Sequence, residues 1–298
     1  MFKKTKKVIT HSGSFHPDDV FACATLSLYL EKNNLRCKIV RTRDPEIIKT
    51  GNFVVDVGGI YDPSINRFDH HQKESAGKRD NGVPYAGFGL VWKNFGEQVC
   101  DSKEVAEKID KKLAQPIDAE DNGVAISTPI ITDVFSYGIN SVVSLYLPED
   151  REGKECDSNF LQLVEWAKFV LQVEIKKEKY KIESVAKVIE CYNNAQDKRM
   201  IIIEEHYPWQ ETLSKYPEPL FIVIPISKDS WAVSTVRVKK DSFENRKNLP
   251  AKWAGLQGKD IQDATGVLDS VFCHRNLFLA VAKSKEGAIK LAKLALED

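Results

Sequence analysis

Residues 53–63, FVVDVGGIYDP, carry four apolar residues with no polar alternation, interrupted only by Asp56, and then a glycine pair. A strand apolar on both faces belongs in a parallel sheet covered by helices. Upstream, residues 7–10 form a short β-branched strand, and residues 18–32 a helix with so little polar face that it must be buried. Residues 37–40 give another strand, and Asp44-Pro45 opens a helical turn. The alternation of strand and helix predicts an α/β fold with a parallel-sheet N-terminal domain.

Further along, helices are expected over 86–98 and 102–115. Residues 126–147 are ambiguous, because Pro129, Gly138 and Pro148 interrupt them. Residues 148–158, PEDREGKECDS, read as a solvent loop, and 160–194 as a long amphipathic helix. Strands follow at 200–204, 220–226, 231–238, 269–273 and 277–281, with a closing helix over 285–296. This predicts two domains, 1–198 and a smaller mixed-sheet α/β domain over 199–298.

The chain has 298 residues, with 42% hydrophobic and 29% charged residues, a composition that excludes disorder. Its formal net charge is zero, so no global field draws it to duplex DNA or an anionic membrane. No apolar run reaches membrane-spanning length. The basic stretch MFKKTKK lacks the apolar sequel of a secretory signal and the arginines of a mitochondrial one. Six scattered cysteines, with no CxxC pair, indicate a reducing compartment. Cytoplasm is the expected location, with the nucleus second and the mitochondrion disfavoured. Cys273, beside His274, reads as a buried inert thiol.

Four of the six histidines fall in the first quarter, in THSGSFHPDD (10–19) and RFDHHQ (67–72). His11 follows the first strand and Asp56 ends the apolar part of the third. Both therefore lie at the carboxyl edge of the parallel sheet, where open α/β folds bind ligands. The loop between His11 and the next helix brings His16 and Asp18 to the same edge. Taken singly, each is an ordinary residue: a surface or core histidine, or a helix N-cap. Together, imidazoles and carboxylates without cysteine suit Mn²⁺, with Fe²⁺, Co²⁺ or Zn²⁺ as competitors. A bridging carboxylate with several terminal ligands suggests two ions. Asp69, His70 and His71 offer further ligands, and QPIDAEDNG offers Asp118 or Asp121.

THSGSFHPDD, RTRDP, VVDVGGIYDP, RFDHHQ, IDAEDNG and SFENRKNLPAKWAGL together resemble the melanocyte proliferating gene 1 family, a branch of the DHH phosphoesterase superfamily. The resemblance runs over nearly the whole chain. It implies a metal-dependent hydrolase, specifically a 3′ to 5′ exoribonuclease with two divalent ions, Mn²⁺ foremost, acting on RNA or a short oligonucleotide 3′ end. Motif matching implies His11, His16 and Asp56 around one ion. It implies Asp18, Asp56, His70 and Asp118 around the other, with Asp121 as rival to Asp118. Asp56 would bridge, and His71 would either contact phosphate or hold its loop.

The second domain would act as a lid gripping the substrate. Arg237 and Arg246 lie among Trp231, Phe243 and Trp253, and His274 and Arg275 are further candidate contacts. Two other readings compete: a small-molecule phosphohydrolase, such as a pyrophosphatase or nucleotide phosphodiesterase, and a non-catalytic regulatory metal-binding module. A metalloprotease reading lacks HExxH.

Overall fold

In the computed structural model, residues 4–239 and 242–298 are described. The basic stretch at 1–7 therefore lies partly outside them. The chain divides into two compact units, 1–178 and 179–298.

The first unit opens with β1 (Thr5–Thr10), α1 (Pro17–Lys32), β2 (Arg36–Arg41), α2 (Pro45–Lys49), β3 (Phe53–Val55), β4 (Tyr61–Asp62) and β5 (Arg67–Phe68). The sheet order is β2-β1-β3-β5-β4. β1 pairs in parallel with β2 and β3, β3 with β5, and only β4 is antiparallel. The N-terminal sheet is thus the mostly parallel one expected from residues 53–57. The expected strand stops two residues early, because Asp56 takes a left-handed backbone (φ +54°). Its N–H still donates to Phe68 O at 3.0 Å, so the turn costs no ladder bond. Aspartate is among the few side chains that tolerate this region.

α1 is buried through almost its whole length, as its lack of a polar face requires. Phe21 packs against Phe88 and Trp166 at centroid distances of 5.3 and 5.8 Å. Phe21 and Phe88, both fully buried, each contribute roughly 1.5–3 kcal/mol.

α3 (Gly87–Cys100) and α4 (Lys103–Ile109) follow. The helix expected over 102–115 does not stop there: a wide π-helical turn (Asp110–Ala114) leads into α5 (Gln115–Asp121). Pro116 has no N–H to give an α-helical bond, and the loosened turn before it absorbs that defect. QPIDAED is consequently helix. Within the ambiguous stretch only α6 (Ile139–Ser144) is regular.

α7 (Gly153–Asn194) starts earlier than expected, taking in residues assigned above to a solvent loop. Cys156 is fully buried there, with Sγ beside the carbonyls of Gly13 and Arg151, and this fixes the first turn. The unit boundary falls inside α7 at 178/179, not near 198. The reason is packing: Val188, Cys191 and Tyr192 belong to an apolar cluster with Ile201, Ile222 and Ile224.

The second unit continues with β6 (Met200–Ile202), α8 (Gln210–Leu213), β7 (Phe221–Ser227), β8 (Ser230–Thr235), α9 (Lys259–Thr265), β9 (Ser270–Cys273), β10 (Leu279–Ala282) and α10 (Lys285–Glu297). Its sheet runs β6-β7-β8-β10-β9, with β6/β7 parallel and the other pairs antiparallel. It is the expected mixed sheet. Among the described residues no helix is long and apolar enough to cross a membrane.

Candidate metal centre

At the carboxyl edge of β1, His11 is buried with Nδ1 3.2 Å from Ser12 O. Donation from Nδ1 to that carbonyl leaves Nε2 as the ligating nitrogen. Nε2 stands 3.0 Å from Asp19 Oδ2 and 3.2 Å from Asp56 Oδ2. Asp19 itself is fixed by accepting from the backbone N–H of His16, the N-cap of α1, at 3.1 Å. The other Asp56 oxygen lies 3.1 Å from His70 Nε2 and 3.4 Å from His71 Nδ1. His70 Nε2 is also 3.2 Å from Asp121 Oδ2 and 3.9 Å from Asp18 Oδ2, and His16 Nδ1 is 3.9 Å from Asp121 Oδ1.

The ligand atoms fall into three groups, each spanning no more than 4.8 Å: His11-Asp19-Asp56, Asp56-His70-His71 and His16-Asp18-Asp121. Asp56 is shared by two of them, one oxygen facing each. His11, His16, Asp18, Asp56, His70 and His71 are therefore brought together as their sequence positions predict. His16 lies with Asp18 and Asp121, however, not with His11 and Asp56.

Asp118 does not join them. It is fully buried, accepts from Gly89 N–H at 2.9 Å through Oδ1, and pairs with Arg79 Nη1 at 2.8 Å through Oδ2. Of the two rival aspartates, it is Asp121, one turn along α5, that faces the histidines, while Asp118 faces α3. Only the helical phase of α5 separates the two, and that phase follows from a π-helical turn the sequence pattern does not announce. Asp19 is the residue sequence reasoning missed. Its signal was the capping spacing from His16 to the third helical residue.

The electrostatics are those of a site built for cations. Burial pushes the Asp18 carboxyl well above the usual carboxylate range, reinforced by repulsion from Asp56 and Asp121. Burial likewise raises Asp19 against the pull of His11. Burial opposes the charged form of His11, yet the carboxylates of Asp19 and Asp56 outweigh it and hold the imidazole up to about 10. His70 is raised by Asp56 despite burial. Against its own burial, Asp56 is lowered by His11 and His70. Burial raises Asp118 to about 7, with Arg79 pulling the other way.

The residues fit divalent metal ions by a direct test. Asp18 Oδ1, Asp19 Oδ2, Asp56 Oδ1 and His70 Nε2 are buried side-chain atoms with no hydrogen-bond partner. Orphaned buried polar atoms are costly, and divalent cations bound among these groups would satisfy them. A cleft of about 560 Å³ opens beside them, lined by His11, His16, Arg43, Asp56, His71 and Glu152 among others. His71 is largely exposed in it, with Nδ1 2.8 Å from Asp69 Oδ1. Asp69 is locked in turn by the N–H groups of Gly59 (2.5 Å) and His71 (3.1 Å).

In the second unit, the candidate contacts divide. The Arg246 guanidinium donates to the carbonyls of Ser214 (2.8 Å), Pro219 (3.1 Å) and Tyr216, so its donors serve the 214–219 turn. The guanidinium expected to grip substrate is thus engaged with backbone carbonyls. Arg237 lies over the Phe243 ring at 5.1 Å and is half-buried. His274 accepts from Asn276 N–H and stacks on Phe278 at 4.3 Å, and Arg275 is exposed. Cys273 is buried, its thiol pushed up to about 11 by burial, as an inert thiol should be.

Among curated proteins, the chain is 28% identical to the MYG1 protein C694.04c of Schizosaccharomyces pombe, over 98% of this chain and 97% of that one. It is 31% identical to the MYG1 protein of Chlamydia trachomatis (98% and 97%) and 27% identical to the MYG1 exonuclease of Homo sapiens (97% and 85%). Among solved structures, RecJ in complex with Mn²⁺ from Thermus thermophilus aligns at a TM-score of 0.31 and 11% identity. That alignment covers 98% of this chain and 52% of that one. At this score the likeness carries no argument. The model MYG1_exonuc, described as uncharacterised protein family UPF0160, matches residues 7–296. By that match the chain belongs to the MYG1 exonuclease family.

Proposed function

We propose that the protein is a metal-dependent phosphodiester hydrolase, specifically a 3′ to 5′ exoribonuclease working with two divalent ions, Mn²⁺ foremost, in the cytoplasm. One observation carries the reading: the two oxygens of Asp56 face two separate histidine-carboxylate groups, an arrangement suited to a bridging ligand. The relatives named MYG1 exonuclease support the reaction class.

His11, Asp19 and Asp56 would hold one ion, and Asp56, His70, Asp18 and Asp121 the other, with His16 beside Asp121. When bound, two such ions would lower the pKa of a bound water and absorb charge on the phosphoryl oxygens. The chain's own residues do the rest. The Ser12 carbonyl fixes the His11 tautomer, and Asp69 anchors His71 through Nδ1. With both ring nitrogens protonated, His71 would donate through Nε2 to a non-bridging phosphate oxygen in the cleft. The left-handed turn at Asp56 sets its carboxylate across both groups.

The test is a short single-stranded RNA labelled at its 5′ end. Stepwise shortening with Mn²⁺, abolished by chelator, is the expected result. Release of phosphate from pyrophosphate with the RNA left intact would replace this reading with a small-molecule phosphohydrolase. No metal-dependent turnover of either substrate would leave a regulatory metal-binding module.

A further inference from the structure

Gly89, in the first turn of α3, has no room for a side chain: a β-carbon there would stand 1.7 Å from Asp118 Oδ2 and 2.6 Å from Arg79 Nη2. Asp118 fills that space and accepts the Gly89 N–H at 2.9 Å. Two residues earlier, Gly87 N–H donates to Asp18 Oδ2 at 3.1 Å. The opening turn of α3 thus holds two buried carboxylates, one in the metal cluster and one behind it. It has no side-chain cap of its own.

Arg79 completes the arrangement. Its guanidinium pairs with Asp118 at 2.8 Å and bidentately with Asp110 in the π-helical turn, at 2.7 and 3.1 Å. It lies over the Tyr85 ring at 4.2 Å, and Gln115 steadies Asp110 at 2.7 Å. Arg79 therefore clamps both the turn that phases α5 and the residue one turn before Asp121. A planar five-donor group suits two carboxylates at fixed angles, which an ammonium does not.

We infer that Asp118 and Arg79 are a positioning pair that sets the carboxylates of Asp18 and Asp121 for metal without touching metal or substrate. The inference rests on the metal-centre reading above. Asp118 acts on Asp18 through the α3 turn and on Asp121 through α5, and Arg79 ties Asp118 to the π-helical turn that precedes α5.

The test is calorimetric titration of Mn²⁺ into metal-free protein, with the thermal midpoint measured alongside, for the wild type, Asp118→Asn, Arg79→Gln and the double variant. Each single change is expected to weaken Mn²⁺ binding about 10- to 100-fold with unchanged stoichiometry. The double variant should lose little more than either single one, because the pair acts as a unit. Arg79→Gln is decisive in sign: removing a positive charge would on Coulombic grounds alone tighten cation binding.

Tighter binding in Arg79→Gln would overturn the inference. So would unchanged affinity in both variants with only a lowered midpoint, which would mean the pair merely holds the fold. Loss of one bound ion in Asp118→Asn alone would make Asp118 a ligand and also overturn it. If a variant fails to fold, Arg79→Lys keeps the charge but not the fork, and an intermediate loss of affinity is expected; wild-type affinity there would overturn the clamp. A wild-type protein that binds no Mn²⁺ would instead sink the metal-centre reading beneath it.

Discussion

Asp121 Oδ2 stands 3.2 Å from His70 Nε2. That places the last residue of α5 in the metal cluster and makes a prediction distinct from that for Asp118. Asp121→Asn should lower turnover by a factor on the order of 10² or more even at saturating Mn²⁺, since it removes a charged ligand and leaves His70 without that partner. The midpoint of unfolding should hardly move in the metal-free protein. Activity recovered fully by excess Mn²⁺ would count against a ligand role.

Asp56→Asn should nearly abolish activity while the protein stays folded. Asparagine accepts the left-handed backbone that Asp56 adopts at φ +54°, so the turn survives, but the charge facing both groups is lost. Near-ultraviolet circular dichroism would report the fold and a diester assay the chemistry. Retention of most activity would end the bridging assignment.

Without metal, stability should fall as pH rises above neutrality. His11 has its pKa raised from 6.5 to about 10, so the stabilisation from its charged form is complete below 6.5 and is lost as pH climbs toward 10. Asp18, raised well above 3.8, works in the same direction, since ionising it in its buried acidic setting becomes costlier with pH. Urea midpoints between pH 6.5 and 10 should decline in the wild type and decline less in His11→Gln. Saturating Mn²⁺ should reverse the trend, because metal binds the deprotonated ligands. Identical slopes in wild type and His11→Gln would refute the assignment.

Arg246 and Arg237 should part company. Arg246→Ala strips a donor from three backbone carbonyls and should cost about 1–3 kcal/mol of stability, with KM for RNA unchanged in the folded fraction. Arg237→Ala, if that residue grips phosphates remote from the reaction, should raise KM more for longer RNA than for a minimal phosphodiester. Equal effects of Arg237→Ala on both substrates would remove it from substrate binding.

Much of this was legible in the sequence because it follows from local pattern. The unalternating FVVDV, the featureless α1 and the mixed strands after residue 198 each state their burial directly, and the structure follows them within a few residues. The convergence of His11, Asp56 and His70 follows from strand ends on one sheet edge. What was not legible depends on helical phase and on distant partners. The choice between Asp118 and Asp121 turns on a π-helical turn, and the sequestration of Arg246 on the carbonyls of the distant 214–219 turn. Neither leaves a periodic trace. Asp19 was hidden for another reason: a carboxylate at the third position of a helix is ordinarily a cap, and here it caps His16 and also faces His11.

The π-helical turn at Asp110–Ala114 has one further consequence. Each residue of an α-helix advances the azimuth by about 100°, so a turn that accommodates one surplus residue rotates everything after it by about that angle. Asp118 and Asp121 are three residues apart and share a flank, but that surplus decides which of them looks toward α3 and which toward the histidines. The wide turn is therefore an angular offset written into the chain. Deleting a single residue from it would shorten the helix by only about 1.5 Å, yet it would swing Asp121 out of the cluster while leaving every ligand type in the sequence unchanged.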